Sequence, residues 1–301
     1  MTQRRALTGI ALAASTLLAL GLAGCAGSDG GNGGGDGDTA GNTLEQAQAD
    51  GTITLAVASE QPYSWVENGE ATGATIAMHR EIFANLGIDN LEIEEVDWNS
   101  LIPGLNAGRW DVISAGMSIL PDRCEEAAFS DPEIMYTTTL VVPAGNPKGL
   151  SDLDSIAAGE GDVTLAVQSG AIEEGYAADL GISNVIQVDS ATAGIEVVQA
   201  GRADAFALTA VSMNWMTADM DDVETTGAFV QEIDGVEQIG AGATVFRQGD
   251  TELLEAYNEE LAKITGDEAA YLGLVEPFGF TAENLPPADL TTAQLCSGDL
   301  G

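Results

Sequence analysis

The strongest constraint on this chain is that it carries one structural unit twice. "ITLAVASE" at Ile53–Glu60 returns as "VTLAVQSG" at Val163–Gly170, and "NLEIEEVD" at Asn90–Asp97 as "NVIQVD" at Asn184–Asp189. "IPGLNAGRWDVI" at Ile102–Ile113 returns as "IEVVQAGRADAF" at Ile195–Phe206. Three matches in the same order make chance a poor account, so the two halves must share a fold. Each copy runs apolar strand, connecting segment, strand, amphipathic segment, then "AGR.D" and a further strand, which is a βαβαβ unit. The strands are short and apolar or β-branched, as parallel strands covered on both faces are. Thr75–Leu86 sets Ile76, Phe83 and Leu86 at helical spacing, with Gly87 as the stop. The expected fold class is α/β, in two lobes that each hold a parallel-rich sheet flanked by helices.

Upstream of the repeat, Arg4 and Arg5 precede an apolar run from Ala6 to Ala23 that ends in "LAGC", Leu22–Cys25. A charged start, a short apolar run and small residues before a cut fit an export signal. The tetrapeptide resembles a lipobox, which implies cleavage after residue 24 and lipid on Cys25; the plainer alternative is an ordinary leader with a chance cysteine. From Ala26 to about Asn42 the chain is Gly, Ser, Asp and Asn, too poor in apolar groups to pack, and reads as a flexible tether. Cys124 and Cys296 then remain, an even count for an oxidising compartment, where pairing is the expectation and two buried free thiols the alternative. With 48 acidic against nine basic residues the formal net charge is −39. Nucleic acid and anionic lipid are poor partners for such a surface. Hydrophobic content of 45% argues against disorder and for a heavily hydrated, acidic exterior.

Open parallel sheets bind ligands beyond the carboxyl ends of their strands. Applied to the repeat, that rule nominates Glu60–Tyr63, Asp97–Asn99 and Gly116–Arg123 in the first copy. In the second it nominates Gly170–Glu173, Asp189–Ser190 and Leu208–Ala210. This set holds one cation, Arg123, the aromatics Tyr63 and Trp98, and the carboxylates Glu60 and Glu173. A guanidinium fork matches a ligand carboxylate in a bidentate way, and aromatic faces hold a cationic or delocalised ring. The constellation suits a small zwitterion. Each residue also has a plainer role: Arg123 paired with Glu125 or Glu126 at the surface, Tyr63 and Trp98 packing between lobes, Glu60 solvated at a loop end.

Catalytic and cofactor chemistry finds few parts. His79, the one histidine, falls mid-helix as a surface or packing residue, and no serine or cysteine has a histidine nearby in sequence. "DMDD" at Asp219–Asp222 lacks the spacing of a calcium loop, and no lysine follows the glycine-rich tether as a phosphate loop requires. No metal or cofactor is expected.

At these residues the chain resembles the extracellular solute-binding proteins of family 3, receptors of ABC importers, over about Leu44–Cys296. The resemblance rests on "SLIPGLNAGRWDVISAGMSI", on "FSDP" after a proline and an arginine, and on "GYA" in the second copy. Within the family, "RCEEAAFSDP", "AGNPKGL", "EEGYA", "LVEPFGFTAENLP" and "TTAQLC" are most similar to receptors for ectoine and hydroxyectoine. This implies a type II, two-lobed binding protein acting as a monomer: a leader at 1–24, a lipidated tether at 25–43, lobe one at 44–139 and 243–285, lobe two at 140–242, and a tail at 286–301. The implied partners are a zwitterionic solute, the permease subunits, and the membrane through lipid on Cys25. The implied roles are Arg123 for a ligand carboxylate, Glu60 for cationic nitrogens, and Tyr63 and Trp98 as stacking walls. Thr209 stands where amino-acid receptors place an aspartate, which argues against a primary amino acid. Ser118 stands where ectoine receptors place a third aromatic, and Ala171 where they place a threonine. Gly170 completes the loop, and the amides of Ala171 and Ile172, with Glu173 beside them, would meet an anion at a helix start. A polar amino-acid receptor is the alternative ligand class, and a cyclohexadienyl-type dehydratase the enzymatic one.

Overall fold

The computed structural model of the protein describes residues 43–159 and 161–298. The leader at 1–24, the lipidation site Cys25 and the tether as far as residue 42 lie outside the described residues. The described chain begins with α1 (Thr43–Asp50), β1 (Thr52–Val57), the hairpin β2 (Trp65–Glu67) and β3 (Glu70–Thr72), α2 (Ala74–Asn85), β4 (Asn90–Glu95), α3 (Leu101–Asn106) and β5 (Val112–Ser118). There follow α4 (Pro121–Glu126), β6 (Ala128–Phe129) and β7 (Ile134–Tyr136). The second lobe is β8 (Thr138–Pro143), α5 (Leu153–Ala157), β9 (Leu165–Gln168), α6 (Ile172–Asp179), β10 (Val185–Val188), α7 (Ala191–Gln199), β11 (Ala205–Thr209), α8 (Ala210–Thr217) and β12 (Val223–Thr225), with the second copy of the repeat running from β9 to β11. A small hairpin, β13 (Glu232–Ile233) with β14 (Val236–Glu237), leads to β15 (Gly240–Phe246), α9 (Thr251–Thr265), α10 (Glu268–Val275) and α11 (Thr292–Ser297).

The first sheet has order β4-β1-β5-β15-β6, with β7 also on β15; the second has order β10-β9-β11-β8-β12. In both, the first three strands are parallel, with Leu55 level with Ile93 and Val112, and Val167 level with Gln187 and Ala207. An antiparallel strand comes next in each sheet, β15 against β5 and β8 against β11. The repeated "AGR.D" does the same work twice. Gly108 and Gly201 take left-handed φ of 68° and 66° as their helices end, a geometry that glycine adopts without steric cost. Three residues on, Asp111 accepts from Thr54 N–H at 3.2 Å and Asp204 from Thr164 N–H at 2.8 Å, fastening the third strand of each copy to the first. Apolar side chains fill both faces of both sheets: Leu55, Val57 and Phe83 on one side of the first and Leu101, Trp110 and Ile113 on the other; Ala166, Ile195 and Phe206, then Leu140, Leu165 and Val167, about the second.

Three boundaries differ from the sequence expectation, two of them between the lobes. All of β8 pairs in the second sheet, starting with Thr138 opposite Thr209, and all of β15 in the first, starting with Gly240 opposite Tyr136. Thr138 and Thr139 therefore belong to lobe two and Gly240–Gly242 to lobe one, because antiparallel pairing captures each strand from its first residue. Thr43 also leaves the tether: it is buried, begins α1 and donates to Asp250 at 2.8 Å. His79 is fully buried between Ser114 Oγ at 2.8 Å and Thr244 Oγ1 at 2.7 Å, and burial pushes its pKa down to about 3, so it is a neutral packing residue. Among the described residues no helix is long and apolar enough to cross a membrane.

Candidate functional site

The carboxyl ends of β1, β5, β9 and β11 face one another across a small cavity of about 20 Å³. Its walls are Glu60, Tyr63, Trp98, Ala115, Gly116, Ser118 and Tyr136 from lobe one, with Gln168, Ala171, Ile172, Glu173, Leu208 and Thr209 from lobe two. Glu60 follows β1 and is 7% exposed. Its Oε1 accepts from Ser212 Oγ at 2.5 Å and Thr209 Oγ1 at 3.2 Å, both on the opposite lobe. Burial raises its pKa, and those two hydrogen bonds partly hold it down. Tyr63 lies on the face of Gly116, where an added Cβ would stand 2.5 Å from the ring. Its edge contacts are Tyr136 and Phe280, with centroids 6.4 and 5.3 Å away.

Trp98 and Arg123 reach the same acceptor in lobe two. Trp98 Nε1 donates to Gly170 O at 3.1 Å and Arg123 Nη2 at 2.6 Å, while Arg123 Nη1 donates to Ser118 O at 3.0 Å. The guanidinium carbon stands 5.6 Å from the Trp98 ring centroid, within cation–π range. Burial lowers the Arg123 pKa, yet a guanidinium stays charged. Among the described residues Arg123 makes no salt bridge, so the surface pair with Glu125 or Glu126 is not formed. Glu173 is 1% exposed and accepts from Thr138 Oγ1 at 3.2 Å. Burial pushes its pKa up to about 7; the nearby Glu60 charge adds to the rise, against Thr138, Arg123 and its own backbone N–H. Two buried carboxylates and one guanidinium therefore share the site.

Of the ten residues for which the sequence suggests a place at the ligand, Glu60, Tyr63, Trp98, Ser118, Ala171, Ile172, Glu173 and Thr209 line the cavity. Arg123 and Gly170 instead close its rim, joined to each other. The Ala171 amide is already bonded to Gln168 O at 3.1 Å, so it is not a free anion donor. Ser118 is on the wall, and its Oγ accepts the Tyr136 hydroxyl. Tyr136, Gln168 and Ser212 carry no signal in the sequence that marks them for the site. Gln168 is the last residue of β9, two residues before the exit loop at Gly170–Glu173. Ser212 lies in the first turn of α8, three residues past Thr209 at its start, and both hydroxyls reach Glu60 Oε1. Tyr136 sits on the unrepeated crossing segment and carried no repeat signal. Among the described residues no cluster of His, Cys, Asp or Glu forms a metal site.

Residues 53–272 match the model of the bacterial extracellular solute-binding proteins, family 3. The chain belongs to this family. As a family 3 solute-binding protein it is similar to a probable amino-acid ABC transporter periplasmic-binding protein, y4tE, of Sinorhizobium fredii (strain NBRC 101917 / NGR234), 33% identical over 85% of this chain and 86% of that one. Among solved structures it resembles EhuB in complex with hydroxyectoine, at a TM-score of 0.75 and 31% identity, covering 85% of this chain and 98% of that one. It also resembles an ancestral amino acid-binding protein, AncCDT-1, a precursor of cyclohexadienyl dehydratase, at 0.69 and 25% over 78% of this chain and 99% of that one. The solute-binding protein thus has the type II two-lobed architecture of these neighbours, and its cavity lies where the two lobes meet.

Proposed function

We propose that this solute-binding protein captures a small zwitterion, ectoine or hydroxyectoine, between its lobes and delivers it to the permease of an ABC importer, held at the membrane by lipid on Cys25. The observation that carries the reading is the chemistry gathered at the cleft: the buried Glu60 carboxylate and the rings of Tyr63, Trp98 and Tyr136 on the cavity wall, with the Arg123 guanidinium over the Trp98 ring and bonded across to Gly170 O. The hydroxyectoine complex of the structural neighbour and the amino-acid transporter name of the relative support the same class of ligand. A cavity of about 20 Å³ holds little more than a water. Admission of a solute therefore requires the contacts at Gly170 and Glu60 to part, a hinge opening whose balance the ligand shifts.

Calorimetry with ectoine, hydroxyectoine, L-arginine and L-glutamine tests the ligand. Micromolar binding of ectoine or hydroxyectoine, about −8 kcal/mol, is expected; glutamine binding without any response to ectoine would reject it. Arg123→Ala should weaken binding by about 2–4 kcal/mol by leaving the ligand carboxylate without its partner, whereas unchanged affinity would remove Arg123 from the site. A second reading has one specific observation in its favour. Glu60 and Glu173 together outweigh Arg123, so with both ionised the cleft suits a cation such as arginine, and arginine binding that strengthens with pH would establish it. The receptor reading includes no turnover, and conversion of a cyclohexadienyl acid by the purified protein would overturn that.

A further inference from the structure

Two side chains on the cavity are buried with their head groups unanswered. Tyr63 Oη and Gln168 Oε1 have no hydrogen-bond partner among the described residues, although the two residues are only 2% and 3% exposed. Buried polar atoms are nearly always paired, because leaving one unpaired forfeits its hydration. Four other buried atoms also lack a partner, but each belongs to a side chain held through its other atom or an ion pair. Glu133 is held by Ser130 and Tyr257, Gln231 by Asp154, Asp250 by Thr43 and Arg247, and Glu260 by Lys263. Tyr63 and Gln168 differ from them in that no well-formed hydrogen bond reaches either head group, and they differ together, on one cavity and from opposite lobes. The Thr209 hydroxyl, which donates to Glu60, stands close enough to Tyr63 Oη to act on it weakly, but it makes no hydrogen bond of good geometry with it.

We infer that Gln168 and Tyr63 form a split clamp on the ligand: Gln168 Oε1 accepts an N–H from it and the Tyr63 hydroxyl donates to one of its oxygens. The inference rests on the reading that the cleft binds a solute, and it narrows the solute to one presenting a donor to lobe two and an acceptor to lobe one. Because the two groups come from different lobes, a ligand that satisfies both ties closure to its own chemistry. A solute lacking the donor leaves Gln168 buried and unpaired on closure, and a site of that kind rejects such an analogue far more strongly than an apolar pocket rejects a missing methylene.

The test uses Gln168→Met and Tyr63→Phe, which keep volume and remove the polar group. Calorimetry with ectoine, hydroxyectoine, arginine and glutamine is paired with thermal melts of the ligand-free proteins. The expected result is a Kd raised at least about tenfold in each variant for whichever solute the wild type binds. In the same variants the ligand-free melting temperature should hold or rise, since an unanswered buried group has been deleted. Lowered stability together with weakened binding would indicate a structural role and overturn the inference. So would affinity unchanged within about threefold in both variants while the wild type binds, a result that leaves the solute reading standing. A wild type that binds none of the four sinks the solute reading, and the clamp with it.

Discussion

Gly170 is required twice by its surroundings. Its φ of +77° lies in the left-handed region, and an added Cβ would stand 2.6 Å from Asn99 Oδ1 and 3.2 Å from Trp98. Asn99 and Trp98 are on the other lobe, so Gly170→Ala would act as a wedge at the point where Trp98 and Arg123 reach across. Expected are ligand affinity lower by roughly tenfold or more and an enlarged radius of gyration in small-angle scattering; unchanged scattering and affinity would show that the rim contact has no part in closure. Glu173 supplies a pH dependence. Its pKa is raised from 4.5 to about 7, so the folded state favours the protonated acid. Its contribution is fully present below pH 4.5, is lost as pH rises towards 7, and amounts to on the order of 3 kcal/mol. His79 acts with the opposite slope, losing stability as pH falls from 6.5 towards 3, because the buried ring must stay neutral. In melts at pH 5 and pH 8, Glu173→Gln should shrink the alkaline loss relative to wild type; parallel profiles would place Glu173 in solvent. At this scale the sequence carried the charged groups well, since Glu60, Arg123 and Glu173 follow strand ends in a repeated unit. It did not reveal that Arg123 grips two carbonyls at the rim, or that Gln168 has no partner, because both facts depend on how the lobes meet.

The repeat made the parallel strands legible because each carries a local signal: apolar runs for β1 and β9, and "AGR.D" before β5 and β11. What stayed hidden were β6, β7 and the first residues of β8 and β15, short antiparallel pieces whose place is fixed by partners far away in sequence. β15 pairs with β5, β6 and β7, so only the assembled sheet defines it. The carboxy-terminal helix is a similar case. α11 is capped by Thr291, donates from Thr292 Oγ1 to Ser130 O at 2.6 Å, and brings Cys296 to Cys124 on α4, with Cα atoms 5.7 Å apart. α4 also carries Arg123, so the tail braces the helix that presents the cation. The pairing spans 172 residues. We expect unreduced peptide mapping to recover a Cys124–Cys296 link, and Cys296→Ser to lower stability by about 2–5 kcal/mol with weakened affinity but unchanged ranking of ligands. Free thiols at both positions, or a variant as stable as wild type, would dispose of the brace.

Across the whole molecule, charge of one sign outweighs every other surface property. The chain has a formal net charge of −39, and the described residues contain four salt bridges, two of them sharing Arg247. Most of the described carboxylates therefore have no cationic partner, and folding concentrates their charge into a smaller volume than the unfolded chain occupies. Salt screens such repulsion over about 10 Å at 0.1 M and about 3 Å at 1 M. Melting temperature should climb as NaCl is raised from about 10 mM to 1 M, with most of the gain reached once the screening length is short compared with the spacing of surface acids. The ligand should respond separately. A zwitterion changes no net charge on binding, so its affinity stays nearly flat across the same series, whereas a cationic amino acid is drawn by the acidic surface and weakens as salt rises. Measured together, melts and calorimetry thus separate the two ligand classes. A melting temperature that is flat or falls with NaCl would mean that the carboxylates are neutralised within the protein, against the scarcity of cations to do it.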